Sequence, residues 1–173
     1  MIIKVVEAYA SENKSKYGQV GDQTGQEVRI AKKESTDFDF YVRFLFKTPR
    51  KLFLKNAKKC AKSNLIGYSQ SGTNSRYSFY DEIVKCGYDV DKYLSSGTET
   101  NCDCSSFVMA LINTLAHRSE VYKFNIYAYT THNMVNYFKK HPSKFVIRNI
   151  YSNTQLMPGD IIIKSGHTAI VTN

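Results

Sequence analysis

The sequence has no tryptophan, and no apolar run approaches the roughly 20 residues that a membrane-spanning helix needs. Aromatic packing therefore falls to 13 tyrosines and 10 phenylalanines, the tyrosines being rings that can also reach solvent. The opening MIIKVVEAYASENKSK lacks the apolar stretch and small-residue cleavage site of a signal peptide. Paired C-x-x-C or His spacings are missing too, so a zinc site is not indicated and no metal or other cofactor is expected. No repeat or low-complexity segment interrupts the 173 residues, a length that suits one domain with a proper core. Acidic residues are in deficit: 15 stand against 24 Lys and Arg, for a formal charge of +9.

That charge admits three partners: nucleic acid, an anionic membrane surface, or anionic polymers of a bacterial cell wall. The densest basic run is Lys47, Arg50, Lys51, Lys55, Lys58, Lys59 and Lys62, which a helix would gather into a basic or simply solvated face. Without an aromatic-rich RNA-binding signature beside it, nucleic acid is not expected as a partner. Of the four cysteines, Cys60, Cys86, Cys102 and Cys104, the last two are too close for an easy bridge. A chain this long needs no disulfide staple, so one of that pair is a candidate for reactivity.

Periodicity predicts an amphipathic helix over residues 3–13, a strand at EVRIA, and a strand or loop at FDFYVRFLF. Helices are predicted from Pro49 through RKLFLKNAKKCAKSN, over SFYDEIVKCG to Gly87, and over HNMVNYFKKH capped by Thr130 or Thr131. The stretch CDCSSFVMALINTLAH repeats apolar residues at helical spacing, which puts Cys104 near a helix N-terminus. KFVIRNI and IIIK–GHTAIVT read as strands. Helices first and strands last imply an α+β fold with a small antiparallel sheet.

A nucleophilic cysteine needs its thiolate, and a helix N-terminus and an imidazolium both favour that form. Cys104 is offered the first, and His167, at the entry to an apolar strand, offers the second. The alternatives are a buried structural thiol and a satisfied strand-end histidine. His117, His132 and His141 read as surface residues.

The segments TNCDCSSFVMALIN and LMPGDIIIKSGHTAIVTN resemble the NlpC-type peptidoglycan cysteine peptidases, close to the CHAP amidohydrolases and papain-like in fold. GQVGDQTGQEVRI and IGYSQSGTNSRYSFYDEIVKCGYDV extend the resemblance to a phage and prophage endolysin branch over nearly the whole chain. The resemblance implies Cys104 as nucleophile, His167 as general base and peptidoglycan as substrate. It puts Tyr68 near the reacting carbonyl, with Gln23, Asp22 and Ser105 as substrate or oxyanion groups; a Gly-rich turn tied by Asp22 is the other reading of that loop. The ring-orienting third residue is expected on the strand after His167, where Asn173 is the candidate. The reaction implied is amide hydrolysis in the stem peptide or cross-bridge; N-acetylmuramoyl-L-alanine amidase chemistry and a non-catalytic wall-binding module are the alternatives. One catalytic domain over residues 1–173 is expected, with a wall-binding module beyond it, made in a host cytoplasm and acting on the wall.

Overall fold

Branched residues at Ile2, Ile3, Val5 and Val6 favour extended backbone, and β1 (Ile2–Ala8) is a strand where periodicity predicts a helix over 3–13. In the computed structural model, which describes every residue but Ala128 and every other side chain but those of Thr73 and Asn74, β1 is an interior strand. Both of its faces are covered, so Val5 and Val6 are both buried and the apolar run loses the alternation that marks a half-exposed strand.

The sheet takes six strands in the order β2-β1-β8-β7-β3-β6, with β2 (Val28–Glu34), β3 (Phe40–Phe44), β6 (Phe145–Asn149), β7 (Ile161–Lys164) and β8 (His167–Val171). Each neighbouring pair is antiparallel. Strands thus come from both ends of the chain, so the helices-first order fails while the α+β class and antiparallel sheet hold. β4 (Ile66–Tyr68) and β5 (Thr100–Cys102) form a separate parallel pair.

One face of the sheet, with Val6, Val42, Phe44, Ile161, Ile163 and Ile170, packs on the helices. The opposite face closes a smaller cluster of Ile3, Val5, Phe38, Ile162, Ala169 and Val171. Against the first face lies α5 (Cys104–Asn113), buried along its whole length and apolar from Phe107 to Ile112. Around it stand α1 (Lys47–Cys60), α2 (Gly72–Arg76), α3 (Ser78–Lys85), α4 (Val90–Ser96) and α6 (Thr131–Lys139). Thr130 and Asn133 close a capping box on α6, where a threonine cap is predicted. No helix among the described residues is long and apolar enough to cross a membrane.

Candidate active site

Cys104 is the first residue of α5, and the turn before it is tightly built. Asp103 caps the helix by accepting the Ser106 N–H at 2.7 Å, and Ser106 Oγ accepts the Asp103 N–H in return. Arg76 holds the cap from outside, its Nε 2.6 Å from Asp103 Oδ2. Ser105, expected as a substrate or oxyanion group, has its hydroxyl buried in this cap. It donates to Asp103 Oδ1 at 2.9 Å and accepts from Arg76 at 2.8 Å. Its side chain is engaged in positioning the helix start.

The Cys104 sulfur meets the sheet where β1 and β8 part. Their pairing runs only through Val5–Val171 and Val6–Ile170. Beyond it Sγ lies 3.9 Å from the Gly166 carbonyl oxygen and receives the Thr168 backbone N–H. The thiol is 4% exposed. Burial, with the Asp103 carboxylate next, pushes its pKa up to about 12, against the backbone N–H groups of Thr168 and Ser105 and the Arg76 charge. In this state the group is a neutral thiol.

His167 sits between Gly166 and Thr168, flanked by the Tyr9 and Phe38 rings at 6.0 and 6.2 Å between centroids. Its Nε2 is 2.8 Å from Glu7 Oε2. Glu7 is fully buried, and its other contacts are Arg29 at 3.0 Å and Lys33 at 3.1 Å. Burial alone would raise the Glu7 pKa; the His167 hydrogen bond and the Lys33 charge outweigh it and bring the value down to about 2. Glu7 is therefore an anion at neutral pH and Nε2 must donate the hydrogen. Nδ1 is left for other chemistry, and among the described residues it has no hydrogen-bond partner, Sγ of Cys104 included.

Asn173, expected to orient the ring, does not reach it. Its Oδ1 accepts the Lys4 N–H at 2.8 Å, and six residues of strand carry it about 20 Å from His167. The ring is held from β1 instead, by a residue 160 positions away that the helical reading of residues 3–13 concealed. The available signal was the sequence VVEA: one acid inside an otherwise apolar strand must find a cationic or imidazole partner.

Tyr68 is close enough to Cys104 that a thiolate there would raise its own already high pKa, which burial sets first. Its hydroxyl accepts from Gln70 Nε2 at 2.8 Å, and among the described residues its own hydrogen has no acceptor. Tyr68, Gln70, Gly166 and His167 line one cleft of about 310 Å³.

The GDQTG loop has a different task. Asp22 collects the backbone N–H groups of Thr24, Gly25, Gln26, Glu27 and Val28. Gln23 turns its amide back on the Val20 carbonyl at 2.9 Å and takes no place in the cleft. The oxyanion expectation for Gln23 and Asp22 gives way to the structural one, because an oxyanion needs hydrogen-bond donors, whereas the Gln23 amide donates within the loop and the Asp22 carboxyl accepts the loop's backbone N–H groups.

Among the described residues no group of three or more His, Cys, Asp or Glu could hold a metal ion. All four cysteines are buried and free.

The sequence model of one family, described as an endolysin-like domain, matches residues 5–173 and so takes in the whole of this constellation. The chain belongs to the endolysin-like domain family. No curated protein and no solved structure gives a match. For this endolysin-like domain the family points to a cell-wall-lytic role with peptidoglycan as the substrate.

Proposed function

We propose that this endolysin-like domain is a cysteine peptidase of the NlpC type, papain-like in the layout of its site, that cuts an amide bond in the stem peptide or cross-bridge of peptidoglycan. The observation that carries the reading is the junction of α5 with β8. A sulfur at a helix N-terminus rests on the backbone at either side of His167, and Glu7 holds that imidazole by Nε2. Nδ1 is bonded to Cγ and is the ring nitrogen nearer the strand backbone on which the sulfur rests, so it is the nitrogen that takes the thiol proton.

Because the resting thiol is neutral, the reaction starts with general-base activation and not with a stored thiolate. As the scissile carbonyl enters, Nδ1 of His167 accepts the Cys104 proton and the sulfur attacks the carbonyl carbon. The Cys104 N–H, free at the helix start, and the Tyr68 hydroxyl steady the oxyanion. The imidazolium returns its proton to the leaving amine as the C–N bond breaks. Water then loses a proton to Nδ1, attacks the thioester and frees the thiol. Glu7 stabilises the imidazolium in both half-reactions.

The test is mass spectrometry of fragments released from purified peptidoglycan by the wild type, Cys104→Ala and His167→Ala. New peptide termini from the wild type alone support the peptidase; release of intact stem peptides from the glycan assigns the amidase bond to the same residues. A non-catalytic wall-binding role is the second reading, favoured by the buried thiol and by a ring whose hydrogen bond, among the described residues, goes to Glu7 and not to the sulfur. Wall binding without release by any of the three proteins would establish that role.

A further inference from the structure

The cleft beside His167 has walls of one sign. Lys14, Lys16, Lys33 and Lys164 line it together with Tyr9, Tyr68, Gln70 and Gly166, and no carboxylate is among the lining residues. Of the buried acids beneath it, Glu7 is already engaged by Arg29, Lys33 and His167, and Glu27 accepts the Tyr68 N–H. Lys33 is thereby occupied. Lys14, Lys16 and Lys164 have no carboxylate partner among the described residues; Lys164 lies over the Phe38 ring at 5.3 Å.

The backbone that carries Lys14 and Lys16 is fixed by the fold, although both side chains are exposed. Residues 16–18 pair with the end of β4: the Gln70 N–H donates to the Lys16 carbonyl at 2.6 Å and the Gly18 N–H to the Tyr68 carbonyl at 3.1 Å. The turn before them is closed by Asn13 Oδ1, which accepts from Ser11 Oγ and the Ser15 N–H. Lys14 holds a left-handed backbone, φ 61°, a conformation that costs a non-glycine residue about 1 kcal/mol or more. Like charges left unpaired around a concave, partly desolvated space create a potential that attracts an anion.

We infer that this cleft binds the free carboxylates of a peptide through Lys14, Lys16 and Lys164, so that the domain selects substrate peptides bearing unamidated acids next to the scissile bond. The inference rests on the peptidase reading for what happens at that bond, but not for the binding itself. Gln70 and the Gly166 carbonyl give the peptide backbone a donor and an acceptor beside the cations. The Tyr9 and Tyr68 rings give its side chains apolar walls. That mixture suits a peptide acid better than a bare phosphodiester chain.

The experiment pairs synthetic stem peptides carrying free carboxylates with the same peptides amidated. Binding to Cys104→Ser is followed by NMR titration and cleavage by the wild type by chromatography. The free acid should bind about tenfold more tightly, as expected for a charge-assisted contact. Lys14→Ala/Lys16→Ala/Lys164→Ala should bring the free acid down to the affinity of the amidated peptide, with the thermal melt unchanged. Equal binding of acid and amide by the protein with its lysines intact overturns the inference, as does a preference that survives loss of the three lysines. So does a glycerol phosphate polymer that binds the cleft when neither peptide does. If the wild type cleaves neither peptide but Cys104→Ser still discriminates, the carboxylate site stands and the peptidase reading falls.

Discussion

A carboxylate taken wholly out of water has to be held by cations or become neutral. This molecule contains both kinds: Glu7 and Asp160 are held by cations, and Glu27 is not. Glu7, with Arg29, Lys33 and His167 around it, has its pKa lowered to about 2. Its ionisation stabilises the fold fully above the unfolded value near 4.5, and that contribution is lost as pH falls toward about 2. Glu27 faces Glu12 and Asp22 instead of cations. Burial, outweighing the Tyr68 N–H that it accepts at 2.6 Å, raises its pKa to about 7. The stability owed to its protonated form is whole below about 4.5 and declines as pH rises through about 7. Glu27→Gln should therefore melt higher than the wild type at pH 8 and nearly level with it at pH 4.5, by thermal denaturation at both values. For Glu7 the kinetic consequence is larger. Glu7→Ala should lower kcat on peptidoglycan peptides by about 100-fold, the scale of acid–base catalysis, with a smaller change in KM. Glu7→Gln, which keeps an acceptor for Nε2–H, should recover part of that loss. The neutral resting thiol makes its own prediction: iodoacetamide should alkylate Cys104 more slowly at pH 7 than it does a free cysteine, and the rate should climb through the alkaline range. A rate already at its plateau at pH 6 would mean a stored thiolate–imidazolium pair and a different first step.

At the scale of elements, the motifs most visible in the sequence divide into two tasks. GDQTG and IGY look like site motifs, yet they hold each other. Gly21 donates to the Thr100 carbonyl and to Asn101 Oδ1, and the Asp22 N–H donates to the Asn64 carbonyl. A Cβ on Gly67 would fall 2.2 Å from the Gly21 carbonyl oxygen, so a glycine is required for the loop to dock on β4. Gly67→Ala should unfold the domain or strip the loop from the sheet. Asp22→Ala, which orphans five backbone donors, should cost about 3 kcal/mol in urea denaturation while leaving Cys104 and His167 in place. α1, α3, α5, α6 and the C-terminal hairpin were legible because each carries a local signal: a cap, a stop, helical spacing or an unbroken β-branched run such as Ile161–Ile163; the short α2 and α4 were not. β1 was not, because an interior strand covered on both faces shows no alternation, and IKVVEA fits helical spacing equally well. That one ambiguity hid the residue that holds the histidine. Cys104 and His167 could be singled out from their own neighbourhoods, whereas Glu7 becomes meaningful only once β1 is known to lie beside β8.

For the whole molecule, two of the places where positive charge gathers differ in character. Lys14, Lys16 and Lys164 surround the cleft, where an anion would meet them at short range. Lys47, Lys51 and Lys55 lie exposed on α1 and Lys62 in the turn just after it. Of the other lysines of α1, Lys59 is paired with Asp91 and Lys58 is turned to the Thr172 carbonyl at 3.4 Å. Exposed charges act on a polymer mainly through encounter, and salt screens them with a Debye length of about 10 Å at 0.1 M and about 3 Å at 1 M. Replacing Lys51, Lys55 and Lys62 together with Gln should slow lysis of whole walls at low ionic strength, and the gap to the wild type should close toward 1 M salt. Hydrolysis of a small soluble stem peptide should be unaffected at either salt, because a short ligand in the cleft never reaches α1. A triple variant slowed equally on both substrates would mean that α1 acts through the fold of the site, since α1 packs on α5, the helix that begins with Cys104.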